Sequence, residues 1–293
     1  MAIEARIIED SVCGGVRITT FQVRAPRCIL AEINTHGIIA KSSRSTRAVP
    51  TAKLRREVLD DPFVPEKFYK NGRGMAGKEL MVGWEARAAK IVWRLGRYSA
   101  VLQSALLSRL GVHKQHAGRP LEPWMWVDSV LTGTDWSNFF NLRISPGAQP
   151  EFDQLARRMR FELDCSQPVE REHHLPYIAQ AERHAIYSTS FPEHPFADLV
   201  RASARRCAAV SYAPHDGTKA DVTKDAQRAD ELLLEPGHMS PFDHPAIATS
   251  SIHAKPTTRR GRFQPPWVEY RKTIPYEHDP MSDPARAGKK ESR

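Results

Sequence analysis

Cysteine is scarce in this chain: there are 4 in 293 residues, and Cys13, Cys28, Cys165 and Cys207 form no C-x-x-C pair. That scatter excludes a disulfide framework and a zinc knuckle, so reduced, buried thiols are expected. Long apolar runs are missing as well. None approaches the roughly 20 residues of a membrane span, and the N-terminus has no signal-peptide hydrophobic stretch, so a cytoplasmic protein with no membrane partner is expected. Acidic residues are the minority charge, with 34 Asp and Glu against 43 Lys and Arg, giving +9. The excess favours anionic partners, nucleic acid or a small phosphate ester, without choosing between them. Regular metal-ligand spacing is also absent. His113 and His116 lie one turn apart with no third ligand nearby, and His173, His174, His184 and His194 follow no common ligand pattern, so no metal is expected.

What is present is 41% hydrophobic residues in a chain long enough for a real core, read as one domain over 1–275 with a polar tail over 276–293. Residues 3–9 and 16–24 are rich in β-branched side chains and predict a pair of strands. A short helix is expected at 51–59, then a loop over 60–77. Residues 72–77 spell G-x-G-x-x-G, but no buried strand precedes them, so a dinucleotide role is not expected. Leu80, Trp84, Ala88, Ile91, Leu95, Val101 and Ala105 recur at helical spacing and predict a core-facing helix over 78–110, interrupted at Gly96. Further helices are expected at 135–142, capped by Thr134, and at 150–163, 197–210 and 222–234. A strand is expected at 246–252, and the His- and Pro-rich connector around 173–194 reads as a loop.

Three stretches carry polar chemistry. The first, residues 21–50, runs from a strand through a proline break and a helical turn into a hydroxyl-rich loop. There Ser42, Ser43, Ser45 and Thr46 offer short donors, and Arg44 and Arg47 offer forked charge suited to phosphate; ordinary solvated loops share that composition. The second is Trp136-Ser-Asn-Phe-Phe-Asn-Leu-Arg143, followed by Ala148-Gln-Pro-Glu151. It sets Asn138 and Leu142 one helical turn apart and Arg143 at the helix end, where arginine commonly forms a structural ion pair. The third, Gly237-His-Met-Ser-Pro-Phe-Asp-His244, is a turn with two imidazoles and a cap available at Ser240.

Together these stretches resemble the signature segments of the flavin-dependent thymidylate synthases. Thr35, His36, Ser45 and Arg47 fall on the first signature in its phage-like form, with Gly37, Ala40 and Ser42 where the family carries Arg, Ser and Asn. Asn138, Leu142 and Arg143 fall on Asn-Phe-Leu-x-Leu-Arg. Residues 237–244 fall on Gly-His-x-Ser/Thr-Pro-Phe-Glu-His, with Ala208-Ala-Val-Ser-Tyr212 upstream. The order of the motifs is that of the permuted, phage-like branch.

The resemblance implies an α/β fold, a mixed β-sheet flanked by helices, assembled as a homotetramer with shared active sites. It implies FAD as cofactor, bound by Thr35, His36, Gly37, Asn138, Leu142, Ser211, His238, Ser240 and Asp243. The implied substrate is a uridine monophosphate, UMP or dUMP, held by Glu32, Ser43, Arg44, Ser45, Thr46, Arg47, Arg119 and Arg143. Arg143 would be catalytic, polarising the uracil ring, while methylenetetrahydrofolate supplies the one-carbon unit and NADPH the hydride. No protein nucleophile is required. Placing Gly37 and Ser42 where the family has Arg and Asn removes volume beside the nucleotide, so a ribose 2′-hydroxyl is expected to fit. That is the behaviour of a UMP-methylating member serving modified-nucleoside or nucleoside antibiotic biosynthesis. The competing readings are an ordinary dUMP thymidylate synthase, and a nucleotide- or nucleic-acid-binding protein without catalysis.

Overall fold

A computed structural model describes residues 2–187, 196–209, 221–234, 239–255, 257 and 261–277. The two β-branched runs form an antiparallel pair, β1 (Glu4–Cys13) and β2 (Val16–Pro26). They turn through Gly14 and Gly15 at φ 56° and 76°, a region where glycine alone is unstrained. Proline ends β2, and after a 3₁₀ turn, Arg27–Ile29, one helical turn follows, α1 (Leu30–Ile33). The hydroxyl-rich segment then departs from the loop expected of it. Its first part is an edge strand, β3 (Ala40–Ser43), paired to β4 (Trp126–Gly133) with Ser42 opposite Val130 and Ser43 opposite Ser129.

The first sheet has the order β3-β4-β2-β1-β5, and β5 (Val169–Glu170) runs parallel to β1, which makes the sheet mixed. The fold is α/β. Helices follow in chain order: α2 (Thr51–Asp60), α3 (Gly83–Arg109), α4 (Lys114–Ala117), α5 (Ser137–Arg143) and α6 (Pro150–Cys165). The last two close one face of the sheet. Phe21, Val23 and Leu131 of the strands meet Phe139, Phe152 and Leu155 of these helices in a buried cluster. Each such side chain contributes about 1.5–3 kcal/mol on burial. Thr134 does not cap α5: the cap residue is Trp136, without a side-chain hydrogen bond, the Ser137 amide donates to Asp135 Oδ1 at 2.8 Å, and the Thr134 hydroxyl accepts from the Gln264 amide.

The connector expected to be a loop holds β6 (His173–His174) and α7 (Gln180–Tyr187). The strand β6 belongs to a second, antiparallel sheet, β6-β7-β8, with β7 (Ala246–Ala248) and β8 (Trp267–Glu269). Next to it lie α8 (Phe196–Ala208) and α9 (Val222–Leu234). The Arg206 guanidinium ties three helices together, reaching Glu182 of α7 and Asp225 of α9 at 2.8 Å each.

Helix α3 differs most from its expectation. It is unbroken over 27 residues, about 40 Å long. Gly96 does not interrupt it; the residue is small because a Cβ there would lie 2.7 Å from the Trp124 ring. The first half of its expected stripe does not face the core either, since Trp84 is 73% exposed, Ile91 55% and Leu95 58%, whereas Val101 packs against a buried cluster as expected. The glycine-rich run at 72–77 is irregular chain between α2 and α3, and a Cβ on Gly77 would strike Tyr69 at 2.3 Å, so packing accounts for that glycine. Among the described residues no helix is long and apolar enough to cross a membrane.

Candidate functional site

The first two polar stretches meet at Arg143. From the end of α5 its Nη1 reaches Glu32 Oε2 at 2.9 Å, its Nε donates to His36 Nε2 at 3.0 Å, and its Nη2 reaches the Thr35 hydroxyl at 3.2 Å. The Phe152 ring lies beneath the guanidinium, 4.4 Å from centroid to Cζ. A planar fork satisfied on three sides and stacked on an aromatic face has little rotamer freedom left. The cluster forms because Pro26 turns the chain off β2, so α1, with Glu32, and the turn after it, with Thr35 and His36, reach the end of α5. His36 is buried, edge-on to Phe139 at 5.0 Å. Burial foremost, then Arg143 and Lys41, push its pKa down to about 4. Lys41 also donates to the His36 carbonyl.

Around this cluster the surface is open. A Cβ built on Gly37 meets nothing within 4 Å, and Asn138 and Leu142 stand exposed one turn apart on α5.

The serine–arginine segment is less uniform than its sequence. Ser43 shares a 2.7 Å hydrogen bond with Ser129, and Ser45 caps the 3₁₀ turn Thr46–Ala48 by accepting from the Arg47 amide. Thr46 is buried, and Arg44 is paired with Glu57 at 2.7 Å. Arg47 is exposed and forms no ion pair among the described residues. Arg119 lies at the start of the 3₁₀ segment Arg119–Trp124, paired with Glu122 at 2.9 Å. The short helix α4 that precedes it packs on the 3₁₀ turn holding Arg47. His113 caps α4 through Nδ1.

The third stretch joins the first through β3. Ser240, opening the 3₁₀ turn Ser240–Asp243, receives a hydrogen bond from Ser42 at 3.3 Å. Asp243 is buried against two guanidiniums, Arg262 at 3.1 Å and Arg271 at 3.4 Å. Ser211 and His238 lie outside the described residues. Two thiols are unsuited to attack, since burial foremost pushes Cys28 up to about 11 and burial raises Cys207; of the four cysteines expected to be buried, Cys13 and Cys207 are, while Cys28 and Cys165 are exposed residues. A cleft of about 910 Å³ between α3 and α6, walled by Phe63, Tyr69, Trp126 and Arg94, contains none of the site residues read from the sequence.

Sequence reasoning missed Lys41, Phe152 and Arg262. Lys41 stands inside the first signature as an ordinary cation, and Phe152 reads only as the apolar face of α6. Arg262 reaches the site through a loop with no motif of its own.

No protein-family model and no curated protein matches the sequence. Solved structures similar to it include the UMP/dUMP methylase PolB of Streptomyces cacaoi bound with 5-bromo-UMP. That likeness has 14% identity over 55% of this chain and 88% of the other, with a TM-score of 0.43. The same enzyme with 5-bromo-dUMP gives 14%, 55% and 89% at 0.44. Thymidylate synthase X of Helicobacter pylori, with FAD and dUMP, gives 17% over 50% and 67% at 0.34.

Proposed function

We propose that this protein is a flavin-dependent methyltransferase of the thymidylate synthase type, which methylates C5 of UMP and also accepts dUMP. The observation that carries the reading is the Arg143 cluster: two segments more than 100 residues apart, matched to separate signatures, meet with Arg143 held by Glu32, Thr35 and His36. A guanidinium fixed in this way offers preorganised positive charge to an anionic uracil carbonyl and N3, and such a group needs no reorganisation during reaction. Neutral His36 orients it by accepting from Nε. Arg47, exposed beside a capped turn, would hold the phosphate, with Ser45 and the backbone of the same turn.

Gly37, the Asn138 amide and the apolar Leu142, all exposed, offer the apolar face and polar edge that a planar ring needs, and these residues would hold the FAD. When bound, FAD would pass hydride from NADPH toward the one-carbon unit derived from methylenetetrahydrofolate. The chain's own residues bind, orient and neutralise charge. The free space at Gly37 also supports acceptance of a ribose 2′-hydroxyl, and from it a role in making modified nucleosides.

Self-association belongs to the same reading. Trp84, Ile91, Leu95, Tyr98 and Leu102 form an exposed stripe along α3 at successive spacings of seven, four, three and four residues, and a stripe of that extent marks an interaction surface. A homotetramer would cover it.

The test is methyl transfer. Protein, FAD, NADPH and isotope-labelled methylenetetrahydrofolate are incubated with UMP or dUMP, and label is expected in the 5-methyl product of both. Label in neither contradicts the reading, and label in dTMP alone makes the protein an ordinary thymidylate synthase.

A further inference from the structure

Behind the site, buried polar side chains run in file from β1 to the Ser240–Asp243 turn. Ser11 Oγ lies 3.3 Å from Glu9 Oε1, and His174 Nδ1 lies 3.0 Å from Ser11 Oγ. Thr20 Oγ1 is 2.7 Å from His174 Nε2, Thr132 Oγ1 is 2.7 Å from Thr20 Oγ1, and His244 Nδ1 is 2.8 Å from Thr132 Oγ1. Ser11, Thr20, Thr132, His174 and His244 are each 0% exposed. Beyond the last ring, His244 Nε2 is buried with no hydrogen-bond partner among the described residues.

The chemistry of one end fixes the direction of every bond. Glu9 is gripped by Arg171 at 2.8 Å and Arg183 at 2.9 Å, so it is an acceptor. Each hydroxyl has one proton and each neutral imidazole one N–H. Ser11 gives its proton to Glu9 and must accept from His174 Nδ1–H. His174 Nε2 is then a lone pair, which takes the proton of Thr20. Thr20 must accept from Thr132, and Thr132 from His244 Nδ1–H. Both rings are neutral, because burial foremost lowers His174 well below the usual imidazole range and His244 to about 3.

We infer that this one-way chain makes His244 Nε2 a built acceptor for a single N–H or O–H donor, at the end of the turn that carries Ser240 and Asp243, with Thr20 and Thr132 setting its polarity from a distance. The site takes a donor and disfavours a carbonyl, since a buried acceptor facing another acceptor leaves both unpaired. The donor has two sources, an internal water or a ligand N–H. The second rests on the flavin and nucleotide reading; the polarity of the chain does not. Thr20 and Thr132 are positioning residues, acting only through His244.

The test is solid-state NMR on the full-length protein labelled with ¹⁵N-histidine, using His174→Gln and His244→Gln to assign the two rings. Both rings are expected neutral with the proton on Nδ1. Thr20→Ser should preserve this, whereas Thr20→Val lets Thr132 turn its proton onto His244 Nδ1 and moves the ring proton to Nε2. A wild-type His244 protonated on Nε2, or on both nitrogens, overturns the inference whether or not Thr20→Val folds. So does a folded Thr20→Val protein with His244 unchanged. Spectra with and without FAD and UMP separate the sources: a moved Nε2 resonance assigns the donor to the ligand, and an unmoved one assigns it to water. Failure of FAD to bind counts against the flavin reading and leaves the tautomer result standing.

Discussion

Arg143 Nε donates to His36 Nε2 across 3.0 Å, so the imidazole is neutral and carries its proton on Nδ1. Arg143 is also the second cause, after burial, of a His36 pKa pushed down to about 4. Arg143→Ala should therefore raise that pKa toward the ordinary 6.5 in an NMR titration. The same substitution should lower turnover roughly 10²- to 10³-fold, the usual loss for one preorganised donor. The ion pair with the half-exposed Glu32 contributes about 0–1 kcal/mol, so the loss of stability should be modest and come mainly from the Phe152 stacking and the hydrogen bonds to His36 and Thr35. A large fall in melting temperature with near-normal turnover would make Arg143 a structural residue.

Acid should destabilise the fold early. His36 and His173 are pushed down to about 4 and His244 to about 3, so between pH 6.5 and 4 the unfolded chain binds protons that the folded chain refuses. Stability is full above 6.5 and falls as the pH drops, by up to ~1.4 kcal/mol per pH unit per histidine. Glu9, Asp128, Asp243 and Glu269 have raised pKa values and oppose the fall by taking protons first in the folded state. Urea melts of wild type and His36→Gln at pH 7, 6 and 5 separate these effects. The variant should show the shallower decline, and parallel curves would contradict the assignment of His36.

The stripe on α3 should mediate self-association. Leu95→Glu combined with Leu102→Glu places charge on a surface the monomer leaves exposed, so folding should survive while assembly is lost. Sedimentation velocity is expected to show a wild-type oligomer and a monomeric double variant. A wild-type monomer would remove the tetramer from the account.

The proposed placement of the sugar beside Gly37 sets the expected nucleotide selectivity. A pocket that only makes room for a hydroxyl discriminates by about 10² or less, so kcat/KM for UMP and dUMP should lie within that factor. Gly37→Arg refills the space and should shift the ratio toward dUMP. An unchanged ratio would place the sugar elsewhere.

The parts of the fold legible in the sequence were the locally encoded ones. Alternating β-branched residues announced β1 and β2, and apolar periodicity announced α6, α8 and α9. The strand β3 was not legible because its four residues are held by β4, more than 80 positions away, and β6 was hidden because two histidines become strand only against β7. Periodicity in α3 identified the helix, yet its core-facing expectation failed at Trp84, Ile91 and Leu95, which are exposed, because periodicity shows that a face is apolar and not what packs on it. At the candidate site the motifs named Thr35, His36 and Arg143, and the resemblance added Glu32; the fold brings all four together. Packing alone supplied Phe152, and a long-range hydroxyl relay supplied the polarity of His244.

Flavin uptake is the decisive measurement. Purified protein titrated with FAD should show a perturbed flavin absorbance spectrum and a melting temperature that rises with FAD concentration, as binding to the folded state requires. His36→Ala should weaken both effects. A protein that remains colourless, with a melting temperature unmoved by saturating FAD, would contradict the flavin-dependent reading.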